Sequence, residues 1–72
     1  MSAPNSLNKN HQDACYVAEC ARQVAVAAAT TQSAINVASI TFHRACAKSG
    51  LTNGVGVEPS MTALRSLGVT GL

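Results

Sequence analysis

Two pairs of residues could do chemistry in this chain: His11 with Cys15, four apart, and His43 with Cys46, three apart. On a helix, either spacing puts an imidazole and a thiol on one face. Brought together, the two pairs would make a Cys2His2 set, the tetrahedral donor group that structural zinc takes. A thiol beside an imidazole is also the start of a nucleophile, provided that a third group orients the base. The sequence supplies neither that third group nor a Cys-x-x-Cys. The residues read as structural cysteines and surface histidines, and no catalytic residue, metal or cofactor is expected.

The elements that position these residues are helical. Ala14, Val17, Ala21, Val24, Ala28, Thr31, Ile35, Ala38, Phe42 and Ala45 step by 3, 4, 3, 4 without a break, and all but Thr31 are apolar. Such a coiled-coil-like seam calls for another helix to lie against. Cys46 sits close to this seam, whereas His11 and Cys15 point away from it, which argues against a shared metal site.

Asn10 is a good N-cap, and Asp13 supplies a partial capping box. Arg44 and Lys48 suit the C-terminal end of the dipole, and Gly50 can stop the helix with Leu51 folded back on Cys46. The spacing therefore predicts one long alanine-rich helix over about 11–49, roughly 57 Å at 1.5 Å per residue. β-Branched Thr30, Thr31, Ile35, Val37 and Ile40 argue against helix, but strict alternation is absent. The competing arrangement is a break near Thr30-Thr31-Gln32-Ser33, which would turn the long helix into a helical hairpin. Asn53-Gly54 and Gly56 mark a loop. Pro59 then opens a short helix over about 59–67 that ends at Gly68 and carries Met61, Leu64 and Leu67 on one face. Residues 1–9 read as a flexible arm, and 10–72 as a single helical domain.

Size limits what such a domain can do alone. The chain has 72 residues, one Phe, one Tyr and no Trp. Below roughly 70–80 residues a lone core is marginal without a disulfide, a metal or other subunits. Alanine adds little buried area, so stability is expected to come from neighbours.

The net charge of +2 rests on five dispersed basic residues. That pattern lacks the basic stripe that nucleic acid requires. Three cysteines, with no leader-like start, fit free thiols and a cytoplasmic setting. Arg22 and Arg44 bracket an uncharged stretch long enough for a bilayer. Thr30, Gln32, Asn36 and Ser39 inside it, and the missing aromatic belt, argue against a span.

The segment Val24–Ile40, with Ala28-Ala29-Thr30-Thr31-Gln32 at its centre, resembles the alanine-, glutamine- and asparagine-rich helical region of the R-body structural proteins, the killing-trait family. Those small bacterial proteins polymerise into coiled, extensible ribbons. The resemblance implies a helical, self-polymerising subunit and assigns no residue a function. The three cysteines depart from the family pattern.

These features together predict an all-α structural subunit that binds copies of itself in a bundle or polymer. Val17, Ala21, Val24, Ala28, Ile35, Ala38 and Phe42 form the expected primary contact. Val26, Val37 and Ile40 form a second apolar face, which a growing polymer needs and a closed dimer does not. Met61, Leu64 and Leu67 cover an edge or lock neighbours together. The alternatives are an accessory subunit of a larger protein complex and a small membrane helix oligomer.

Overall fold

Alanine favours helix through most of the chain, so the fold turns on the places where helix stops. The computed structural model describes residues 6–71, with side chains from residue 9 onward. Among these residues the chain is all-helical: α1 spans Ser6–Ala28, α2 Gln32–Asn53 and α3 Glu58–Ser66. Both α1 and α3 pack on α2, which is the shared middle element.

The expected single helix over about 11–49 is interrupted at residues 29–31. Thr31 has extended backbone, with φ −135° and ψ 156°, and its hydroxyl accepts from the Ala34 amide at 3.1 Å. This is an N-cap: a side-chain oxygen satisfies one of the amides that a new helix leaves open. The Ala29 amide meets the Val26 carbonyl at 3.1 Å and tightens the end of α1. The chain then reverses, and the hairpin alternative is the observed fold.

The reversal divides the seam. In α2 its members face inward: Ala38 is buried, and Ile35 and Phe42 are half-buried. In α1 they are exposed, Val17 at 67% and Val24 at 72%, with Ala21 and Ala28 exposed as well. The face that α1 turns toward α2 lies roughly a third of a turn away. It carries His11, Cys15, Ala18, Arg22, Val26 and Ala29, all partly buried. A 3-4 pattern carries across a break in sequence, but a two-helix hairpin does not keep its phase in space.

Both outer boundaries also differ from the sequence expectation. Helix α1 begins at Ser6 rather than after Asn10, so residues 6–9 are helical, while 1–5 lie outside the described residues. Asp13 pairs with Lys9 at 3.3 Å, an i,i+4 link inside the helix, instead of serving a cap at Asn10. At the other end α2 runs past Gly50 to Asn53, and Gly54 takes the left-handed turn at φ 69°. The amides of Gly54 and Val55 both return to the Gly50 carbonyl. Gly50 is buried within the helix, because the loop that follows folds tightly over it.

Helix α3 falls within a residue of its expected bounds. It starts with Glu58 and Pro59 and carries Arg65 in its last turn. Gly68 has φ 88°, with its amide on the Arg65 carbonyl and that of Val69 on the Leu64 carbonyl, a Schellman stop. Leu64 is the most enclosed large side chain at 1% exposure, with Met61 and Leu67 half-buried beside it on the same helix face. No described helix is long and apolar enough to cross a membrane.

Two substitutions test this architecture. Thr31→Ala removes the cap and is expected to cost about 1 kcal/mol in denaturant unfolding followed by circular dichroism. A Cβ on Gly50 would meet Val57 Cγ1 at 3.0 Å and the Gly56 and Val55 carbonyls at 3.2 Å. Backbone oxygens cannot step aside, so an overpacking cost of about 1–3 kcal/mol outweighs the helix gain of about 1 kcal/mol. Gly50→Ala should therefore lower the unfolding midpoint.

Candidate functional site

Two features stand out on the helical hairpin, one near its turn and one near its open end. Near the turn, small side chains leave a groove of about 720 Å³ between α1 and α2. Ala18, Ala21, Ala25 and Ala28 form much of its α1 wall. Ala34, Val37, Ala38, Thr41, Phe42 and Ala45 form the α2 wall, and Ala29 closes it near the turn. The groove is apolar because alanine, on both walls, fills neither helix's side of the gap.

Arg22 is the one charged residue lining the groove. Its Nε donates to Glu19 Oε2 at 2.8 Å, and its Nη2 donates to Glu19 Oε1. Hydrogen bonding to Arg22 holds the Glu19 carboxyl below its ordinary range, and the same contact holds the guanidinium proton more firmly. The guanidinium carbon stands 5.8 Å from the centre of the Phe42 ring, close enough for a cation–π contact across the two helices. The groove therefore presents little net charge.

Of the sequence-predicted interface residues, Ala21, Ala28, Val37, Ala38 and Phe42 line this groove together. Of the second apolar face, Val37 alone joins the primary stripe at this groove. Val17 and Val24 lie just outside the α1 wall, exposed. Ile35, Val26 and Ile40 are half-buried and do not line it. Met61, Leu64 and Leu67 belong to α3 and do not reach it. The sequence reading left Ala18, Ala25 and Ala34 out of the interface. Their signal was the alanine spacing itself, Ala18-x-x-Ala21 and Ala25-x-x-Ala28, overshadowed by the larger valines beside them.

At the open end a polar chain crosses from α1 to α2. Asn53 Nδ2 donates to the Ser49 carbonyl at 2.9 Å and to Ser49 Oγ at 3.2 Å. Ser49 Oγ lies 2.9 Å from His11 Nδ1, and His11 Nε2 lies 3.6 Å from Cys15 Sγ. Burial chiefly, then the neighbouring Cys15 thiol and the negative charge of Glu19, push the Cys46 thiol up from 9.0 to about 11.

The two histidine–cysteine pairs therefore do not form one site. His11 and Cys15 lie together near the open end, while His43 packs edge-on against Phe42, with ring centres 5.0 Å apart. No group of three or more His, Cys, Asp or Glu among the described residues could hold a metal ion. All three cysteines are free, with Cys20 exposed. Comparison with protein-family models, curated proteins and solved structures finds no match to this chain.

The raised Cys46 pKa has a defined consequence for stability. A thiol whose folded-state value stands above its ordinary one favours the fold while it is protonated. That contribution is whole below about pH 9 and is lost as pH climbs toward about 11. At fixed protein concentration, the melting midpoint should fall across this window, and Cys46→Ala should flatten that part of the decline.

Proposed function

We propose that this chain is a self-assembling structural subunit, and that its working chemistry is helix–helix packing. The observation that carries this reading is the open, alanine-lined groove between α1 and α2. Among the described hydrophobic residues, only Ala38, Cys46 and Leu64 are buried, while Tyr16, Val17, Val24, Val37 and Leu51 remain well exposed. A chain so small and so poor in interior gains most by burying these surfaces against neighbours.

A second copy is the favoured occupant because the chain carries both halves of a fit. The groove is concave, neutral and lined by methyl groups. Val17 and Val24 form a low apolar ridge on the adjoining face of α1. Alanine at the contact lets helices approach near the lower end of the usual 8–10 Å separation. Self-complementary patches of this sort give a two-fold contact, and the remaining exposed apolar positions leave room for further contacts. The resemblance of Val24–Ile40 to the R-body proteins points in the same direction, toward a polymer. An accessory subunit would use the same groove for a helix of another protein.

The test is Ala28→Glu. Ala28 is exposed in the single chain and lines the groove, so the change leaves the hairpin intact. In an assembly it would bury an unpaired charge at a cost of several kcal/mol. Light scattering and electron microscopy should show oligomers or filaments for the wild-type chain and monomers for the variant, with equal helix content. A wild-type chain that stays monomeric at high concentration, with a melting midpoint unchanged on hundredfold dilution, refutes self-assembly and favours a heterologous partner.

A further inference from the structure

We propose that His11 and Cys15 are half of a zinc site, and that the same two residues of a second copy complete it as a Cys2His2 centre on a two-fold axis. The donors stand about one turn apart on α1, with His11 Nε2 3.6 Å from Cys15 Sγ. Zinc binds sulfur at about 2.3 Å and imidazole nitrogen at about 2.0–2.1 Å, so a sulfur and a nitrogen on its tetrahedron lie about 3.5–3.6 Å apart. The pair thus already spans one edge of that tetrahedron. Both side chains are half-buried and keep part of their surface open to solvent.

The surroundings suit the imidazole to this task. A metal on Nε2 leaves the ring proton on Nδ1, and Ser49 Oγ stands 2.9 Å from that atom to accept it. Ser49 is held in turn by Asn53, whose Nδ2 donates to the Ser49 carbonyl at 2.9 Å and to Oγ at 3.2 Å. Metal-binding histidines are oriented in this manner, by a hydrogen bond from the nitrogen that faces away from the ion. The ring of His43 packs on Phe42 instead.

One chain supplies two of the four donors, and among the described residues no third His, Cys, Asp or Glu joins them in a metal-holding group. A second copy turned about a two-fold axis brings the same pair, so the donor count itself names the partner. The inference rests on the self-assembly reading and deepens it, since a metal contact at the open end is a different two-fold interface from a groove contact near the turn. Either interface alone stops at a dimer, whereas the two in alternation link copies into a filament. Binding displaces the proton of each Cys15 thiol, so each zinc taken up releases two protons to the buffer.

The experiment titrates the reduced chain with zinc and, as a spectroscopic substitute, with cobalt(II). The expected result is one metal per two chains, with the intense visible bands of tetrahedral cobalt and a thiolate charge-transfer band. Zinc should also double the mass of the Ala28→Glu chain in light scattering, because that variant loses only the groove contact. His11→Gln and Cys15→Ser should each abolish the cobalt spectrum, and Ser49→Ala should weaken binding about 10–100-fold. Cys20→Ala should leave both unchanged. A tetrahedral spectrum that survives in His11→Gln, or one without a thiolate band, would overturn the site, and one metal per chain would overturn its sharing between copies. Assembly that persists under a chelator in a chain that takes up no metal refutes this inference and leaves the groove reading standing. Zinc-driven pairing of a chain that is otherwise monomeric supports it and refutes the groove contact.

Discussion

The hydroxyl of Thr31 accepts from the Ala34 amide while the Thr31 backbone is extended, and much of the rest of the molecule hangs on that cap. It starts a second helix where the alanine-rich pattern alone would continue the first. A helix restarted after a reversal takes a new direction and a new phase. The chain consequently folds α1 back along α2, so that its own second half becomes the partner that its first half needs. The cap also sets what meets what: Arg22 lies by Phe42 near the turn, and His11 lies by Ser49 near the open end.

The hairpin pairs two helices whose contact residues are mostly small. Small side chains permit close backbone approach but remove little apolar area from water. Where two alanine walls face one another, the gap stays partly open, and this is the groove. Near the open end the gap is closed differently, by polar groups that satisfy one another from Asn53 through Ser49 and His11 to Cys15. A polar chain of this kind specifies register better than methyl groups do, since each donor must find its acceptor. Apolar packing near the turn and polar matching near the open end hold the same pair of helices by different means.

Among the described elements, the third helix packs on α2 and not on α1. Its link folds so closely over Gly50 that no Cβ fits there without displacing backbone. This explains why the glycine that reads as a helix stop is in fact a helix interior residue. Gly54, free of such contact and with φ 69°, takes the terminating role. Two glycines four residues apart thus serve opposite needs, close approach and left-handed geometry, and composition alone cannot tell them apart.

Local chemistry was sufficient for much of the outline. The all-α class follows from alanine content and 3-4 spacing, and the short C-terminal helix follows from Pro59, Gly68 and the Met61, Leu64, Leu67 face. The polar run at residues 30–33 marked the place where the helix could divide. Whether it did divide was a contest between continuing backbone hydrogen bonds and a side-chain cap, and contact between α1 and α2 tips such a balance. Only the tertiary structure decided that Val17 and Val24 face outward, that Ala18 and Ala25 join the groove, and that His11 reaches Ser49 while His43 packs on Phe42. Periodicity reports which residues share a face of one helix. It says nothing of where that face points once the chain has turned back on itself.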